Sequence, residues 1–456
     1  MNCEKSSSKT VRLPVCGGAL ALFLCMPDAS AAAVSKLPDR YISLCASTSV
    51  NRPDNPKYCA HVLKVGPKDA KTVIVLIAGG SLGAGSFQPV AGKISASVRD
   101  TQVWVIERRE QNLADLSRLR DDNRLDYYLK GQYRRETEQT AGYARSWGLT
   151  DTISDLRQII ISARDRGQRR VFLGGHSWGA TIALAYAAWD FQGEPGYRGL
   201  AGLILVDGGV HDSWAGEGYK FRLTADEVPG KLQQIESGNP FSGDLGYIWQ
   251  LQGPPEQLPI YYQLAATEAL KDPHGASMLQ DLLPKAMQPS MPLTNLALLG
   301  WLTDTHAPTA DLQVHSGHIA DGDASIHDWV STGPAPIAEV AATFAHTQPA
   351  AVEWYWPRRL TLDLEAVDPF VASPVTRALG LPLVHAAEID VPLYAFQTGL
   401  THGTVNEAAK WVVENSRIRM TTYVTDESMA HLDPLFDSPG RNKFLSTVEE
   451  FVRASR

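Results

Sequence analysis

The sequence predicts an α/β fold in which a mostly parallel sheet carries helices on both faces. From residue 59 onward, apolar strand-like runs alternate with helix-like runs, which is the pattern of a parallel sheet flanked by helices. The strand-like runs are largely apolar, as expected of strands buried on both faces. The runs that support this prediction are residues 73–77, 102–106, 150–163, 171–173, 180–188, 200–206, 391–396, 419–424 and 441–453.

Residues 171–180 contain the most informative motif of the chain. Gly175-His176-Ser177-Trp178-Gly179 fits the pattern G-x-S-x-G, with a predicted strand before it and a predicted helix after it. A serine on so sharp a turn takes a strained backbone conformation, and the flanking glycines remove side chains that would clash there. The pattern therefore indicates a nucleophilic Ser177, the alternative being an incidental serine in a tight turn.

Length and composition limit the class of protein. The chain has 456 residues, which allows one large domain with an insertion or two domains. The net charge is −8, and the sequence contains no basic cluster large enough to bind a row of phosphates. The sequence therefore argues against nucleic acid as a partner and favours a small-molecule substrate. The spacing of His and Cys fits no metal site, and we expect no metal and no cofactor.

The first 33 residues have the pattern of a signal peptide. Lys5, Lys9 and Arg12 precede a short apolar run at residues 13–26, and small residues at 29–33 offer cleavage sites. We expect cleavage to leave an exported protein, periplasmic or secreted, without stable membrane insertion. An uncleaved N-terminal anchor is the alternative.

Cleavage at that point would also remove Cys3, Cys16 and Cys25. Cys45 and Cys59 then remain, separated by a loop that contains Pro53 and Pro56. Two cysteines in an exported chain predict one disulfide. Two buried free thiols are the alternative interpretation.

The alternation of strands and helices is interrupted for about 180 residues after Asp207. The predicted organisation is a signal peptide at 1–33, a first core part at 34–209, an insertion at 210–388 and a second core part at 389–456. An insertion at this point follows the carboxyl end of a strand, where ligands bind in such sheets, so we expect a mainly helical cap over Ser177. The cap holds six tryptophans, of which one or two are expected to line the pocket: Trp214, Trp249, Trp301, Trp329, Trp354 and Trp356.

A serine nucleophile needs a histidine base, and the base needs a carboxylate that orients it. In this topology the chain order is serine, acid, histidine. His431 follows the last predicted strand and is the candidate base. His176 is adjacent to Ser177, but its side chain is expected to point away from the face of the nucleophile.

The candidate acid is Asp207. The loop after residues 391–397 usually carries this carboxylate, yet His402 stands where an aspartate is expected. Asp207 ends the preceding strand and can reach the same histidine from one strand over. The weaker candidates for the acid are Glu388, Asp390, Asp426, Glu427 and Asp433.

A tetrahedral intermediate needs two backbone N–H donors. One is expected from Trp178, the residue after the nucleophile. The other is expected from the glycine-rich loop at residues 78–85, with Gly80 the first candidate and Ser81 the next.

The segment at residues 107–135 is densely charged and contains seven arginines. One of them could bind a substrate carboxylate as a bidentate partner. The alternative is a solvated helix whose charges pair locally. The arginines are Arg108, Arg109, Arg118, Arg120, Arg124, Arg134 and Arg135.

With these motifs placed, the chain resembles the α/β-hydrolase superfamily over residues 59–209 and 389–456. The stretch from Gly175 to Ala187 is similar to the elbow of proline iminopeptidases, and the cysteine pair is similar to that of exported tripeptidyl aminopeptidase-like members. At residues 107–110 the chain has Glu-Arg-Arg-Glu where those peptidases commonly have Asp-x-Arg-Gly. The resemblance implies the α/β-hydrolase fold and the serine nucleophile.

The sequence favours an exported serine hydrolase that cleaves an ester of a small, partly apolar substrate through an acyl-enzyme. An exopeptidase is the second hypothesis. A binding protein without catalytic activity on the same fold is the third, although Ser177, His431 and the glycine loop are all retained.

Overall fold

Eight strands form one mixed sheet in the computed structural model, which describes residues 39–45, 56–242, 244–245, 251–305 and 313–455. The predicted signal peptide and Trp249 lie outside the described residues. The strands are β1 (Asp39–Cys45), β2 (Cys59–Val65), β3 (Thr72–Ile77), β4 (Thr101–Glu107), β5 (Arg170–His176), β6 (Gly202–Val206), β7 (Leu393–Gln397) and β8 (Thr421–Thr425).

The order of the strands across the sheet is β1-β2-β4-β3-β5-β6-β7-β8. β2 runs antiparallel to both β1 and β4, and every other neighbouring pair is parallel. Parallel neighbours need crossover connections, which here contain helices. The prediction of a mostly parallel sheet with flanking helices is confirmed.

Alternate residues of the central strands enter two separate cores. In β3, Ile74 and Leu76 face one core, which also contains Phe444 of the last helix. Val73 and Val75 face the other core. Because both faces of the sheet are covered at its centre, β3 is apolar from Val73 to Ile77 and lacks the alternation of a half-exposed strand.

The helices lie between the strands in the chain. In the core they are α1 (Gln88–Ser97), α2 (Arg124–Leu129), α3 (Leu149–Arg164) and α4 (Trp178–Ala188). Between β6 and β7 the described helices are α5 (Val228–Ser237), α6 (Gln257–Lys271), α7 (Asn295–Thr303), α8 (Ile337–Phe344), α9 (Arg358–Val367) and α10 (Pro374–Ala378). After β7 come α11 (Thr404–Glu414), α12 (Asp433–Phe436) and α13 (Lys443–Ala454).

Among the residues that the structure describes, no helix combines the length and the apolar character that crossing a membrane requires.

The predicted disulfide is present between Cys45 and Cys59. Cys45 ends β1 and Cys59 begins β2, and the antiparallel register places the two residues directly opposite each other. The bridge therefore ties the edge strand β1 to its neighbour. The other alternative, two buried free thiols, is excluded by this pairing.

Reduction of this disulfide is expected to lower the free energy of unfolding by about 3 kcal/mol at most, because the bridge closes a loop of roughly 15 residues in the unfolded chain. Urea unfolding of the oxidised protein and of a Cys45→Ser/Cys59→Ser variant measures the difference. Intact mass should rise by two hydrogens on reduction. Two thiols that alkylate in the denatured, unreduced protein would contradict the prediction.

Candidate active site

Ser177 occupies the sharp turn between β5 and α4. Its backbone angles, φ 57° and ψ −131°, lie in a region that residues with a side chain rarely adopt. Its N–H donates to the carbonyl of Val206, 2.9 Å away, which ties the turn to the neighbouring strand β6. Ser177 is 9% exposed. The serine thus stands on a strained turn at the carboxyl end of the sheet.

The two glycines of the motif are required by close backbone contacts. A Cβ atom at Gly175 would lie 2.1 Å from the carbonyl of Gly179, and one at Gly179 would lie 2.1 Å from the carbonyl oxygen of Ile77. Both distances are far below van der Waals contact. Only glycine allows β5, the turn and α4 to approach β3 this closely.

Asp207 and His431 form a hydrogen-bonded pair. Asp207 directly follows β6, and His431 lies in the loop between β8 and α12. His431 Nδ1 lies 2.6 Å from Asp207 Oδ2. The structure therefore brings together two of the residues that the sequence analysis selected, from positions 224 residues apart.

Asp207 is completely buried but well supplied with donors. Thr398 donates to its carboxylate twice, from the backbone N–H to Oδ1 (2.8 Å) and from the hydroxyl to Oδ2 (2.6 Å). Burial alone would raise the pKa of Asp207, but the hydrogen bond and electrostatic interaction with His431 and the two hydrogen bonds from Thr398 lower it below the usual range. The carboxylate is therefore held in its charged form.

Thr398 also explains the unexpected histidine at position 402. The first residue of the loop after β7 supplies donors to Asp207 instead of supplying the carboxylate itself. His402 lies four residues later with a positive φ of 49°. The sequence analysis did not select Thr398, because a threonine at the end of a strand has no distinctive pattern.

The weaker candidates for the acid have other surroundings. Glu388 lies 3.1 Å from His385, and Asp426 accepts from the N–H and hydroxyl of Ser428. Asp433 accepts hydrogen bonds from the N–H of Ala430 (2.6 Å) and from His315 (2.7 Å). It therefore holds the loop that carries His431. Within the described part of the chain, Asp390 and Glu427 form no side-chain hydrogen bond.

His176 also contacts His431, which the sequence analysis did not expect. The two rings lie 4.2 Å apart, and His176 Nε2 donates to the backbone carbonyl of His431 across 2.8 Å. Burial, with the nearby charge of His431, lowers the pKa of His176 to about 3, so its ring is neutral. His176 thus positions the backbone of His431.

The glycine-rich loop after β3 packs directly on the serine. A Cβ atom at Gly79 would lie 2.6 Å from Ser177 Cβ and 3.1 Å from Ser177 Oγ. A Cβ atom at Gly80 would lie 3.3 Å from the indole of Trp178. The backbone N–H groups of Gly80 and Trp178 donate to no described residue, and the N–H of Trp178 is the first of α4.

A cluster of aromatic side chains extends from Trp178, the residue after Ser177, to the ring of His431. The Trp178 ring lies 6.0 Å from Trp214 and 5.3 Å from Phe221, and Trp214 lies 6.0 Å from the His431 ring. Trp214 Nε1 is buried and has no hydrogen-bond partner among the described residues. Of the six tryptophans in the predicted cap, Trp214 and Trp356 lie near the site.

The other tryptophans of the predicted cap pack away from the serine, as far as the structure describes them. Trp354 and Trp329 are buried in the hydrophobic core, and Trp301 packs against that core. Their role is therefore the ordinary filling of a core.

The charged segment at residues 107–135 is buried at its beginning and mostly exposed from residue 117 onward. Arg108 and Arg109 are each 5% exposed and are bound to carboxylates, Arg108 to Glu353 and Arg109 to Asp155. α2 covers only Arg124–Leu129. The interpretation as a solvated segment with local charge pairs is wrong for Arg108 and Arg109, because their burial depends on distant partners. Arg118, by contrast, is exposed and pairs locally with Asp121.

The described residues contain no group of three or more His, Cys, Asp or Glu side chains arranged to hold a metal ion.

Comparison with known proteins supports the architecture. No protein-family model matches the chain, and no curated protein matches its sequence. Among solved structures, a candidate lipase from Sulfolobus solfataricus is 16% identical, with a TM-score of 0.51 over 92% of this chain and 95% of the other.

Two further structures show weaker similarity. Epoxide hydrolase A from Mycobacterium thermoresistibile is 13% identical, with a TM-score of 0.44 over 91% of this chain and 98% of its own. A monoacylglycerol lipase from Paleococcus ferrophilus is 10% identical, with a TM-score of 0.42 over 87% and 99% of the two chains. The conclusion on the fold rests on the first structure and on the sheet.

The sheet topology and the position of the strained turn together identify the fold. An eight-stranded sheet with an antiparallel second strand carries a serine on a strained turn between its fifth strand and the following helix. With the similarity to the Sulfolobus structure, these features show that the chain has the α/β-hydrolase fold.

Proposed function

We propose that this protein is a serine hydrolase that cleaves an ester bond of a small, partly apolar substrate through an acyl-enzyme intermediate. Ser177 is the nucleophile, His431 the general base and then general acid, and Asp207 the carboxylate that orients His431. The backbone N–H groups of Trp178 and Gly80 bind the oxyanion.

The observation that carries this proposal is the pairing of Asp207 with His431 at the same end of the sheet as a strained serine. A buried carboxylate 2.6 Å from a histidine Nδ1 keeps the proton on that nitrogen and leaves Nε2 as the base. Gly208, the next residue after Asp207, packs against the backbone of Ser177. All three residues thus belong to one end of the sheet.

The proposed reaction has two halves. Ser177 Oγ attacks the ester carbonyl while His431 takes its proton, and the negative charge that develops on the carbonyl oxygen is met by two backbone donors. His431 then protonates the leaving alcohol. A water molecule then attacks the acyl-enzyme while His431 takes its proton, and His431 returns that proton to Ser177 Oγ as the carboxylic acid leaves.

The aromatic side chains suggest the substrate class. Trp178, Trp214 and Phe221 form an aromatic cluster that begins at the residue after Ser177 and reaches the ring of His431. Such a cluster binds an acyl or alkoxy group of modest size. We also propose that residues 210–388 act as the cap over this site and that the protein is exported, in keeping with its N-terminal pattern and its disulfide.

An exopeptidase is the second candidate, and Glu217 is the observation that favours it. Glu217 lies in a short turn three residues after Trp214, whose ring lies 6.0 Å from that of His431. Burial raises the pKa of the Glu217 carboxyl. A carboxylate in that place is the group that would bind the ammonium of a peptide N-terminus.

A matched pair of substrates distinguishes the two candidates. We expect the purified protein to hydrolyse an aryl acyl ester with a higher kcat/KM than the corresponding aminoacyl arylamide, and Glu217→Gln to leave ester hydrolysis unchanged. A preference for the arylamide, with a KM that rises in Glu217→Gln, would establish the exopeptidase instead. Hydrolysis of neither, together with no labelling by a fluorophosphonate, would indicate a binding protein.

A further inference from the structure

Arg108 lies directly against the glycine-rich loop. Its guanidinium donates to three loop carbonyls: Nη1 to Ala78 (2.9 Å), and Nη2 to Gly79 (3.2 Å) and Leu82 (3.4 Å). The side chain is 4% exposed. The buried guanidinium of Arg108 thus forms hydrogen bonds to three carbonyl oxygens of the loop that packs on Ser177.

These contacts determine where the N–H groups of the loop point. In a trans peptide the carbonyl oxygen and the N–H of the next residue lie in one plane and point in opposite directions. Because the carbonyl of Gly79 is directed at Arg108, the N–H of Gly80 is directed away from it. Gly79 itself packs on Ser177, so this peptide borders the nucleophile.

Glu353 holds Arg108 in this position. Glu353 Oε2 lies 2.5 Å from Arg108 Nη2, and the Glu353 side chain is 2% exposed. Trp356 covers the guanidinium, with its ring centre 4.8 Å from Arg108 Cζ. Burial acts to lower the pKa of Arg108, but the carboxylates of Glu353 and Glu110 raise it, so Arg108 stays charged.

The segment that carries Glu353 also pairs with the loop through its backbone. Leu82 and Val352 form an antiparallel bridge, and the N–H of Gly83 donates to Ala351 across 2.9 Å. The N–H of Glu353 donates to the carbonyl of Ser81 across 3.0 Å, and Ser81 has a positive φ of 60°. The loop is therefore held on two sides, by Arg108 and by residues 350–353.

Stability alone does not account for this arrangement. Removing two charges from water is costly, and apolar residues of similar volume often replace a buried ion pair without loss of stability. Apolar residues could not, however, direct three carbonyls toward one point. The planar fork of arginine can, because it presents five donors in a rigid geometry.

We propose that Arg108 and Glu353 are positioning residues for the oxyanion site: together they orient the Gly79–Gly80 peptide so that the N–H of Gly80 faces the oxyanion. This inference rests on the proposed function, since it assigns a partner to the hydrolytic step at Ser177. Neither residue touches the substrate.

The test is a kinetic comparison on an aryl ester. Arg108→Lys keeps the charge but offers a single nitrogen in place of the fork. We expect its kcat to fall roughly 10- to 100-fold with little change in KM, because a misplaced oxyanion donor weakens binding of the transition state and not of the substrate. Glu353→Gln should show a smaller loss of the same kind.

Arg109→Lys is the matched control. Arg109 is the neighbouring buried arginine, but it binds Asp155 and Asp151 of α3 and none of the loop carbonyls. We expect the kcat of Arg109→Lys to stay close to that of the wild type, once it is corrected for the folded fraction determined by circular dichroism.

A boronic acid provides the second readout, since its tetrahedral adduct with Ser177 places an oxygen where the oxyanion forms. Its affinity should fall in Arg108→Lys by the same factor as kcat. A kcat loss equal to that of Arg109→Lys, a rise in KM alone, or an unchanged boronate affinity would overturn the inference. If Arg108→Lys does not fold, Glu353→Gln decides by the same criteria.

Different results would refute the proposed function and the positioning role. A wild-type protein that neither hydrolyses esters nor reacts with a fluorophosphonate would refute the proposed function, and the positioning role with it. An active wild type with unaffected Arg108→Lys and Glu353→Gln variants would refute the positioning role alone.

Discussion

Ser177→Ala is expected to lower the kcat of ester hydrolysis by about 10⁶. Only the residual rate that the oxyanion donors and substrate binding provide should remain. The hydroxyl at position 177 is the atom that forms the acyl-enzyme in the proposed reaction, and alanine removes it without changing the backbone. His431→Ala should cause a loss of similar size, because nucleophile and base act as one unit. Steady-state kinetics on an aryl ester measures both.

Labelling provides an independent check of the nucleophile. A fluorophosphonate should add once to the wild type, and the modified peptide should contain Ser177. As a control, His402→Asn replaces a nearby histidine whose φ of 49° asparagine tolerates, and it should keep most of the activity. Substantial ester hydrolysis by Ser177→Ala would refute the proposed mechanism.

Asp207→Asn is expected to fold normally and to lose about 10⁴ in kcat near neutral pH. Asparagine fits the space of the buried carboxylate and can still accept from Thr398. Its amide, however, favours the wrong tautomer of His431 and does not stabilise the imidazolium that forms when Ser177 is deprotonated. Kinetics together with a thermal unfolding curve separate this loss from misfolding.

Asp390→Asn and Glu427→Gln serve as matched controls for the acid and should lose far less activity. Asp433→Asn is a less suitable control. Asp433 accepts a hydrogen bond from the N–H of Ala430 and so holds the loop of His431, and its substitution is expected to lower the stability of the protein. If Asp207→Asn were nearly as active as the wild type while Asp390→Asn or Glu427→Gln were inactive, the acid would belong to a later loop. Asp207 would then be only part of a structural turn.

Local pattern was sufficient for the scaffold of the site. The apolar run that became β3, the helix that became α3 and the G-x-S-x-G turn are encoded within short stretches, because strand and helix periodicity and the need for glycine act over a few residues. The pair of β1 and β2 was not assigned to the sheet in advance. They join it because β2 pairs with β4 and β1 pairs with β2, contacts that no local pattern contains.

The charged segment shows where local pattern fails. A run such as Glu107-Arg108-Arg109-Glu110 has the same appearance whether it is solvated or buried. Arg108 is buried because Glu353, 245 residues away, and the carbonyls of the glycine loop satisfy it. Pairing over such distances depends on chain packing, which no local pattern contains.

The sequence by itself determined the α/β class, the strained turn at Ser177, the cysteine pair and the choice of Asp207 and His431 as candidates. The tertiary structure alone decided that Asp207 meets His431 at 2.6 Å, that Thr398 holds Asp207, and that His176 supports the backbone of His431. The reason is physical. Backbone preferences and burial patterns are properties of neighbouring residues, whereas hydrogen-bond distances between side chains of different strands exist only once the sheet has assembled.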